Sequence, residues 1–332
     1  MNDRIATTIH LRLVLVCCGL LGVDSARADD TGLDAVVRLA VGAIELSRHH
    51  VTDIWPGLSN LGPGFVLVSD DYETAFCFQA APGFEPLDTA GTLDCATHRR
   101  VRVLPRQLQA SLNLFSSEET VVTAGPSTLG QSDTDWQLLF IHERFHQWQS
   151  TLPGYAASIA KLDLAGDDQT GMWMLNYPFP YADPAVNTAF DPVFAQLAQL
   201  FVANELHAAD LDHYRQLRKR AFATVTDPAQ RYAEFQLWKE GAARWTELAA
   251  AEALALIPEL DADRFSVAAL DRRTTIVRIL TEHSLATAGR GMFYAFGAAE
   301  WQLVQRIDPS WRERYGRDIR LKMDRVLTEP AQ

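Results

Sequence analysis

The sequence has no excess of basic residues and little that would hold it in a membrane. Its 332 residues include 30 Lys and Arg against 42 Asp and Glu, a formal net charge of −12 at pH 7. A chain this acidic has no electrostatic attraction for nucleic acid or anionic lipid, so we expect neither as a partner. Beyond the N-terminus, no apolar run approaches the roughly 20 residues that a membrane-spanning helix needs. We also find no internal repeat and no Gly-x-Gly-x-x-Gly nucleotide fingerprint.

One short apolar run lies at the N-terminus, within residues 1–28. Basic residues precede an apolar core over residues 13–23, and the small-x-small sequence Ala26-Arg27-Ala28 follows it. This order is typical of a secretory signal peptide, and the core is too short to cross a bilayer as a helix. We therefore predict cleavage after Ala28, no membrane attachment of the mature chain, and secretion to the periplasm or the medium. The sequence leaves the oligomeric state open.

Cysteine is scarce, with four residues in the whole chain. Two of them fall in the predicted signal peptide, which leaves Cys77 and Cys95. An exported protein enters an oxidising compartment where such a pair can bridge, and the turn-rich segment between them can fold back. We predict a Cys77–Cys95 disulfide, with two buried free thiols as the alternative.

Hydrophobic patterning divides the mature chain into two lobes. Apolar residues at helical spacing predict a first helix over residues 33–50. Short strand-like segments separated by Gly, Pro and Asp follow at 65–68, 74–78, 100–104 and 120–123. From Ser132 onward the pattern predicts helices at 132–150, 190–221, 228–257, 264–288 and 292–306, with a loop at 166–192. We therefore predict an α+β fold, in which a small sheet lobe (29–130) and a mainly helical lobe (131–332) form one catalytic domain.

The helix predicted over residues 132–150 contains a His-Glu-x-x-His motif, formed by His142, Glu143 and His146. Histidines at positions i and i+4 share one helical face, so both imidazoles can reach the same metal ion. Glu143 is rotated by about 100 degrees and is close enough to contact a water on that ion. This pattern predicts a metallohydrolase, in which the ion acidifies the water and the carboxylate carries its proton to the leaving group. A structural histidine pair is the alternative.

A catalytic zinc normally has three protein ligands and one open position, so a third ligand must come from elsewhere in the chain. The strongest candidate is Glu240, which precedes the small residues Gly241-Ala242-Ala243 in an apolar helical segment. This small run would let its helix approach the metal helix closely. Three rivals remain open: Glu247 on the same helical face, Glu234 nearly two turns earlier, and His283 in the following helix. A solvated salt-bridge stripe is the structural alternative.

Together, His142-Glu143-x-x-His146 and the later Glu240-Gly241-x-Ala243 resemble the gluzincin metallopeptidases, the group of thermolysin and the zinc aminopeptidases. The resemblance implies a zincin-like fold, one zinc ion between the two lobes, and a peptide or protein substrate. It also implies that Glu240 matches the third ligand of those aminopeptidases, the glutamate of a Glu-Gly-x-Ala helix. The resemblance covers about residues 136–149 and 232–250, with a looser likeness at 294–301.

Two departures limit what the resemblance implies. The chain has 93 residues between His146 and Glu240, a longer separation than in those peptidases, and it has no Gly-x-Met-x-Asn motif for a free peptide amine. The implied activity therefore goes no further than zincin-type proteolysis, and the choice between endopeptidase and exopeptidase stays open.

Three further features have a possible place in such a site. Tyr294, at a predicted helix start, is our candidate donor to the oxyanion, with a core aromatic as the alternative. Arg244 is expected to pair with Glu247 or to bind a substrate carboxylate. The strand-like segment 120–123 is interpreted as an exposed edge that holds an extended peptide.

The principal hypothesis is thus a secreted zinc peptidase with Glu143 and Tyr294 as catalytic residues. One alternative is a non-catalytic zincin-like module that binds partners, and another is a zinc hydrolase with a non-peptide substrate. Glu143 separates the first two, because a structural zinc takes a fourth protein ligand and needs no base.

Overall fold

A six-stranded mixed sheet and a larger array of helices make up an α+β architecture, as predicted. A computed structural model describes residues 30–87, 93–115, 119–168 and 170–316. The predicted signal peptide lies outside these ranges. Within them, no helix combines the length and the apolar character needed to cross a membrane.

The strands are short and belong to one sheet. They are β1 (Phe65–Val68), β2 (Tyr72–Phe76), β3 (Glu85–Pro86), β4 (Thr97–Val101), β5 (Gln109–Leu112) and β6 (Thr120–Ala124). Their order is β3-β4-β2-β1-β6-β5, with β1 parallel to β6 and all other neighbours antiparallel. Phe65 stands opposite Val121 at the centre, where both strands are buried along their whole length.

The prediction that the segment 120–123 forms an exposed edge is wrong. β6 pairs with β1 on one side and with β5 on the other, and all five of its residues are buried. The outer strand is β5, whose four residues are partly buried. Its sequence, Gln-Ala-Ser-Leu, has no β-branched or aromatic residue, so the strand pattern did not reveal it.

The helices of the described ranges differ widely in length. They are α1 (Asp30–His49), α2 (Pro126–Leu129), α3 (Asp133–Ser150), α4 (Tyr155–Ala160), α5 (Trp173–Asn176), α6 (Pro184–Val202), α7 (Ala208–Phe222), α8 (Asp227–Gln236), α9 (Ala242–Leu254), α10 (Ala262–Glu282), α11 (Leu285–Ala288), α12 (Gly291–Ile307) and α13 (Trp311–Tyr315). A 3-10 turn spans Pro56–Asn60, and a π-helical turn, Leu237–Gly241, joins α8 to α9.

Two predicted helices are divided. The predicted helix 190–221 is α6 and α7, separated by residues 203–207, and the predicted helix 264–288 is α10 and the short α11. α6 also begins inside the segment predicted as a loop. It begins at Pro184 because the side chain of Asp183 accepts hydrogen bonds from two backbone amides, and proline suits the first helical position.

The helix predicted over residues 228–257 contains the π-helical turn in its middle. Such a turn forms i to i+5 hydrogen bonds and is favoured where other groups satisfy the disturbed backbone. Here the indole of Trp301 donates to the carbonyl of Leu237 at 2.9 Å. The hydroxyl of Tyr315 donates to the carbonyl of Trp238 at 2.6 Å.

The sheet is covered on both faces. α1 and α3 pack on one face around Phe65 and Phe140, and the segments that follow β2 and β4 pack on the other around Phe84 and Leu108. A larger apolar core lies among the helices. α3 therefore lies between the sheet and the helical array.

Six of the eight tryptophans gather around Tyr315, beside the C-terminal half of α3. They are Trp55, Trp148, Trp238, Trp245, Trp301 and Trp311. The ring of Trp238 stacks on Tyr315 with centroids 4.9 Å apart. This aromatic cluster supports the π-helical turn from the side of α13.

The structure contains the predicted disulfide between Cys77 and Cys95. Cys77 directly follows β2, and its amide donates to the carbonyl of Ala96, just before β4. The bridge therefore closes the loop between two antiparallel strands of the sheet.

Candidate metal centre

α3 holds three site residues on a rigid, buried element. The helix begins where the side chain of Ser132 accepts a hydrogen bond from the amide of Asp135. It packs against the sheet on one side and against α9 on the other. His142, Glu143 and His146 are consequently only 4–7% exposed.

Three ligand atoms converge where α3 meets the π-helical turn. They belong to His142, His146 and Glu240, which we call the metal group. The two Nε2 atoms are 3.0 Å apart, and Oε2 of Glu240 lies 3.2 Å from His146 Nε2 and 3.7 Å from His142 Nε2. All three residues are buried, so the described structure contains a group that can hold a metal ion.

The spacing of these atoms fits tetrahedral coordination. Around a zinc ion with bonds of about 2.0–2.1 Å, ligand atoms are about 3.3–3.4 Å apart, and the three distances in the metal group lie on either side of this value. A point about 2.05 Å from all three atoms therefore exists, about 0.7 Å out of their plane. The distances among the three ligand atoms are therefore compatible with one shared metal ion.

The outer nitrogen of each imidazole is held by a hydrogen-bond acceptor. Nδ1 of His142 lies 2.7 Å from Oε1 of Glu247, and Nδ1 of His146 lies 2.6 Å from Oε1 of Gln149. Carboxylate and amide oxygens only accept, so each Nδ1 carries a proton. Nε2 is then the atom left to bind either a second proton or a metal ion.

A contact between two glycines sets the position of Glu240. A Cβ on Gly241 would stand 2.4 Å from the Cα of Gly297, and a Cβ on Gly297 would stand 2.5 Å from the Cα of Gly241. The backbone of the turn therefore lies directly against α12. We expected the run Gly241-Ala242-Ala243 to let its helix approach the metal helix, and α9, which begins at Ala242, packs against α3. The contact of Gly241 itself with α12 was not foreseen.

Gln149 ties the π-helical turn to α3. Its Nε2 donates to the carbonyl of Lys239 at 3.3 Å and to the hydroxyl of Tyr315 at 2.6 Å, while its Oε1 accepts from His146. One amide side chain thus fixes the orientation of the second histidine and the turn that carries Glu240.

Glu247, a rival for the third ligand position, supports His142 from behind. Its other oxygen accepts hydrogen bonds from Arg244 at 2.8 Å and from Arg272 at 3.3 Å. Burial acts to raise the pKa of Glu247, but Arg244, His142 and Arg272 outweigh burial and lower that pKa to about 2. Arg244 therefore makes the predicted pair with Glu247.

The electrostatics of the metal group favour a cation. Burial acts to raise the pKa of Glu240, but His146 and His142 hold that pKa well below its usual range. Burial alone would lower the pKa of His142, yet hydrogen bonds with Glu240 and Glu247 raise it to about 9. The raised pKa of His142 shows that Glu240 and Glu247 favour a positive charge at this point, and a metal ion would supply positive charge there.

Glu143 lies beside the metal group with its carboxylate free. Burial raises the pKa of Glu143, while His142 and His146 act in the opposite direction. Within the described ranges, no hydrogen bond engages this carboxylate. A carboxylate with a raised pKa and free lone pairs can take up and return a proton more readily than an ordinary glutamate.

Tyr294 lies on the first turn of α12, next to the metal group. Its ring is stacked towards that of His142 with centroids 6.3 Å apart. Its hydroxyl oxygen accepts a hydrogen bond from Nη1 of Arg290 at 2.7 Å, and the hydroxyl itself donates to the carboxylate of Glu240. Burial and the negative charge of Glu240 raise the pKa of Tyr294 well above its usual value, so the hydroxyl stays protonated.

The two remaining rivals for the third ligand position lie elsewhere. Glu234 accepts two hydrogen bonds from Arg218, at 2.9 and 3.1 Å. His283 is exposed at the end of α10. Neither residue belongs to the metal group.

Sequence reasoning missed Gln149, Arg290 and Tyr315. Gln149 follows His146 by three residues, and Arg290 precedes Tyr294 by four, so helical spacing could have revealed both pairs. Tyr315 reaches the site from a distant helix and has no local pattern.

A surface cavity of about 470 Å³ lies at the other end of α3, away from the metal group. Asp135, Asp261, Asp263 and Asp271 contribute to its acidic lining. Among the described residues, the metal group is where ligand atoms, a free carboxylate and a tyrosine hydroxyl come together.

Comparisons of the chain with protein-family models, with curated proteins and with solved structures found no match. The chemistry of the site therefore has to be inferred from its own geometry.

Proposed function

We propose that this chain is a zinc-dependent hydrolase of the zincin type that cleaves peptide bonds. The observation that carries the proposal is the joint arrangement of three convergent ligand atoms and an unengaged Glu143 beside them. The position of the motif helix against a sheet, with Glu240 supplied by a later helix, supports the gluzincin resemblance.

The donor set favours zinc. Two imidazole nitrogens and one carboxylate oxygen at tetrahedral spacing are a usual set for catalytic zinc, with a fourth position left for water or substrate. A structural zinc would have a fourth protein ligand, and the group found in the described ranges has three residues. This difference favours a catalytic role over a binding module.

The residues of the chain have distinct roles in the proposed reaction. When bound, zinc would supply Lewis acidity towards the substrate carbonyl and towards an attacking water. The carboxylate of Glu143 takes the proton from that water and returns it to the nitrogen of the leaving amine. The hydroxyl of Tyr294 donates a hydrogen bond to the oxygen on which negative charge develops.

We also propose that the protein acts after export. The Cys77–Cys95 disulfide supports this, because such bonds persist in oxidising compartments. N-terminal sequencing of protein recovered from the periplasm or the medium should start at Asp29. A chain that still starts at Met1 would contradict this proposal.

Metal analysis combined with one conservative substitution tests the proposed chemistry. Purified wild type should contain one zinc per chain and hydrolyse peptides from a random library. Glu143→Gln should keep the zinc and lose about 10²- to 10⁴-fold in rate, the usual contribution of a general base.

The ligand assignment needs its own comparison. His146→Ala and Glu240→Ala should lose zinc as well as activity, whereas the control His283→Ala, at an exposed histidine, should keep both. Full activity of Glu143→Gln, or full zinc content of Glu240→Ala, would show the assignment to be wrong.

A further inference from the structure

Arg290 and Arg244 lie beside Tyr294, and each guanidinium has N–H groups that are not engaged in a hydrogen bond among the described residues. The Cζ atoms of Arg290 and Arg244 lie 5.1 and 5.7 Å from the centre of the Tyr294 ring. Their side chains are 25% and 33% exposed, in contrast to the buried metal group. Arg290 uses Nη1 for Tyr294, and Arg244 uses Nη1 for Glu247. Among the described residues, their other N–H groups have no hydrogen-bond partner.

The carboxylate that balances the charge of Arg290 belongs to Glu240, which would also bind the metal ion. In the described part of the chain, the only carboxylate within 4 Å of Arg290 is Glu240, whose Oε1 lies 3.7 Å from Nη1. Arg244 has Glu247, which it shares with Arg272 and His142. A divalent ion brings two positive charges to a site whose carboxylates are already shared, so an anionic substrate group would restore the balance.

The distance from Arg290 to the metal group suits a short segment of peptide. Oε1 and Oε2 of Glu240 belong to one carboxylate, so Nη1 of Arg290 lies within about 8 Å of the point where an ion would bind. An extended peptide advances about 3.3–3.6 Å per residue. The free edge of the guanidinium is therefore one to two residues from a bond held at the metal group.

We propose that Arg290 and Arg244 form a carboxylate-binding subsite. The preferred substrates are then peptides that carry a carboxylate within two residues of the cleaved bond. That carboxylate is either the free C-terminus or an acidic side chain, since both offer the planar pair of oxygens that guanidinium binds with two hydrogen bonds. This inference rests on the proposed peptidase function and names its substrate class.

Binding to an inactive protein tests the subsite without turnover. Zinc-loaded Glu143→Gln protein is immobilised and offered three N-acetylated random pentapeptide libraries. One has a free C-terminus and no acidic residue, one is C-terminally amidated with one Asp or Glu, and one is amidated and neutral. Mass spectrometry of the retained peptides should show at least about tenfold enrichment of one carboxylate library over the neutral one. The library that is enriched identifies the source of the carboxylate.

Substitutions assign the enrichment to the arginines. Adding Arg290→Gln or Arg244→Gln to Glu143→Gln should reduce the enrichment several-fold, and Arg290→Lys should retain part of it because the charge remains. The control Arg278→Gln, at an exposed arginine of α10, should leave it unchanged.

Two results would overturn the subsite. The first is that zinc-loaded Glu143→Gln protein retains all three libraries equally, while the wild type cleaves the neutral library. The other is equal weakening of all libraries by Arg290→Gln, which would mean that this arginine acts only through Tyr294. Failure of the wild type to bind zinc or to cleave any library would instead contradict the proposed function itself.

Discussion

Two clusters of charged side chains in the described part of the helical array differ in how completely their members satisfy one another. In the closed cluster, Arg218 donates to Glu300 at 2.7 Å and to both oxygens of Glu234, while Tyr214 also donates to Glu300. In the metal group, two imidazole nitrogens and a carboxylate oxygen, all able to act as ligands, face one another at 3.0–3.7 Å. The first cluster is a complete set of ion pairs, and the second presents three ligand atoms that can hold a metal ion.

This difference shows why burial and shifted pKa values do not identify a site by themselves. Burial raises the pKa of Glu300, and carboxylates raise the pKa of Arg218 well above its usual value despite its burial. These pKa shifts are as marked as some in the metal group. In the closed cluster, however, the arginine and tyrosine donors face carboxylate acceptors. A better guide to function is a buried polar atom that can still bind a ligand after the contacts within the protein are made.

Breaking the closed cluster should have the largest effect on stability. Arg218→Met leaves the buried carboxylate of Glu300 and the partly buried carboxylate of Glu234 without this counter-charge, and breaking a buried pair typically costs about 3–5 kcal/mol. Denaturant unfolding of the zinc-free protein measures this loss of stability. In a separate measurement, the variant as purified should still contain one zinc per chain. The control Arg215→Met removes a more exposed pair with Asp212 on the same helix and should cost at most about 1 kcal/mol. Loss of zinc without loss of stability in Arg218→Met would contradict the division into two kinds of cluster.

Gly297→Ala should disturb both stability and the metal group. The new Cβ would overlap the backbone of the π-helical turn, and overpacking of this kind costs about 1–3 kcal/mol. Zinc affinity should fall as well, because the same turn carries Glu240. Gly291→Ala is the matched control on α12, since a Cβ there meets no atom within 4 Å. Unchanged zinc affinity in Gly297→Ala would show that the glycine contact does not position the ligand.

Glu247→Gln tests the charged support of the first histidine. The substitution keeps the shape of the side chain and removes the charge behind Nδ1 of His142, so zinc affinity should fall about 10- to 100-fold. Competition with a chelating dye measures the affinity. The control is Glu252→Gln, on the same helix as Glu247, which alters a partly exposed pair with Arg273 of α10. This substitution should leave the zinc affinity unchanged. Complete loss of zinc would instead favour Glu247 as a direct ligand.

Gln149→Met tests the neutral support of the second histidine and should have the smallest effect on zinc. The acceptor behind His146 is lost, but no charge is removed, so we expect about a tenfold decrease in zinc affinity, the low end for such supports. The same dye competition applies. A larger loss than in Glu247→Gln would mean that the link from Gln149 to the π-helical turn matters more than the charge behind His142.

The parts of the site that follow from helical spacing were predictable from the sequence. His142, Glu143 and His146 lie on one rigid helix, so their relative positions follow from their numbers alone. The choice of Glu240 depended on a short pattern of small residues, and the structure places it in the metal group. The α+β division was predictable for a similar reason, since strand-like and helix-like periods occupy separate stretches of the chain.

The parts that depend on distant contacts were not predictable. The π-helical turn is maintained by Trp301, Tyr315 and Gln149, none of which belongs to its helix. The strand β5 has an unremarkable sequence and is defined by its pairing with β6. The start of α6 at Pro184 could have been recognised from Asp183, but the aromatic and proline-rich sequence before it favoured a loop.

The aromatic cluster around Tyr315 places several tryptophan side chains close to the metal group. Tyr315 stacks on Trp238 and shares a hydrogen bond with Gln149, which in turn orients His146. We expect a displacement of that histidine to reach the environment of the indole rings through Gln149 and Tyr315. The intrinsic tryptophan emission should then change when the metal group binds an ion, so binding could be followed without an attached dye.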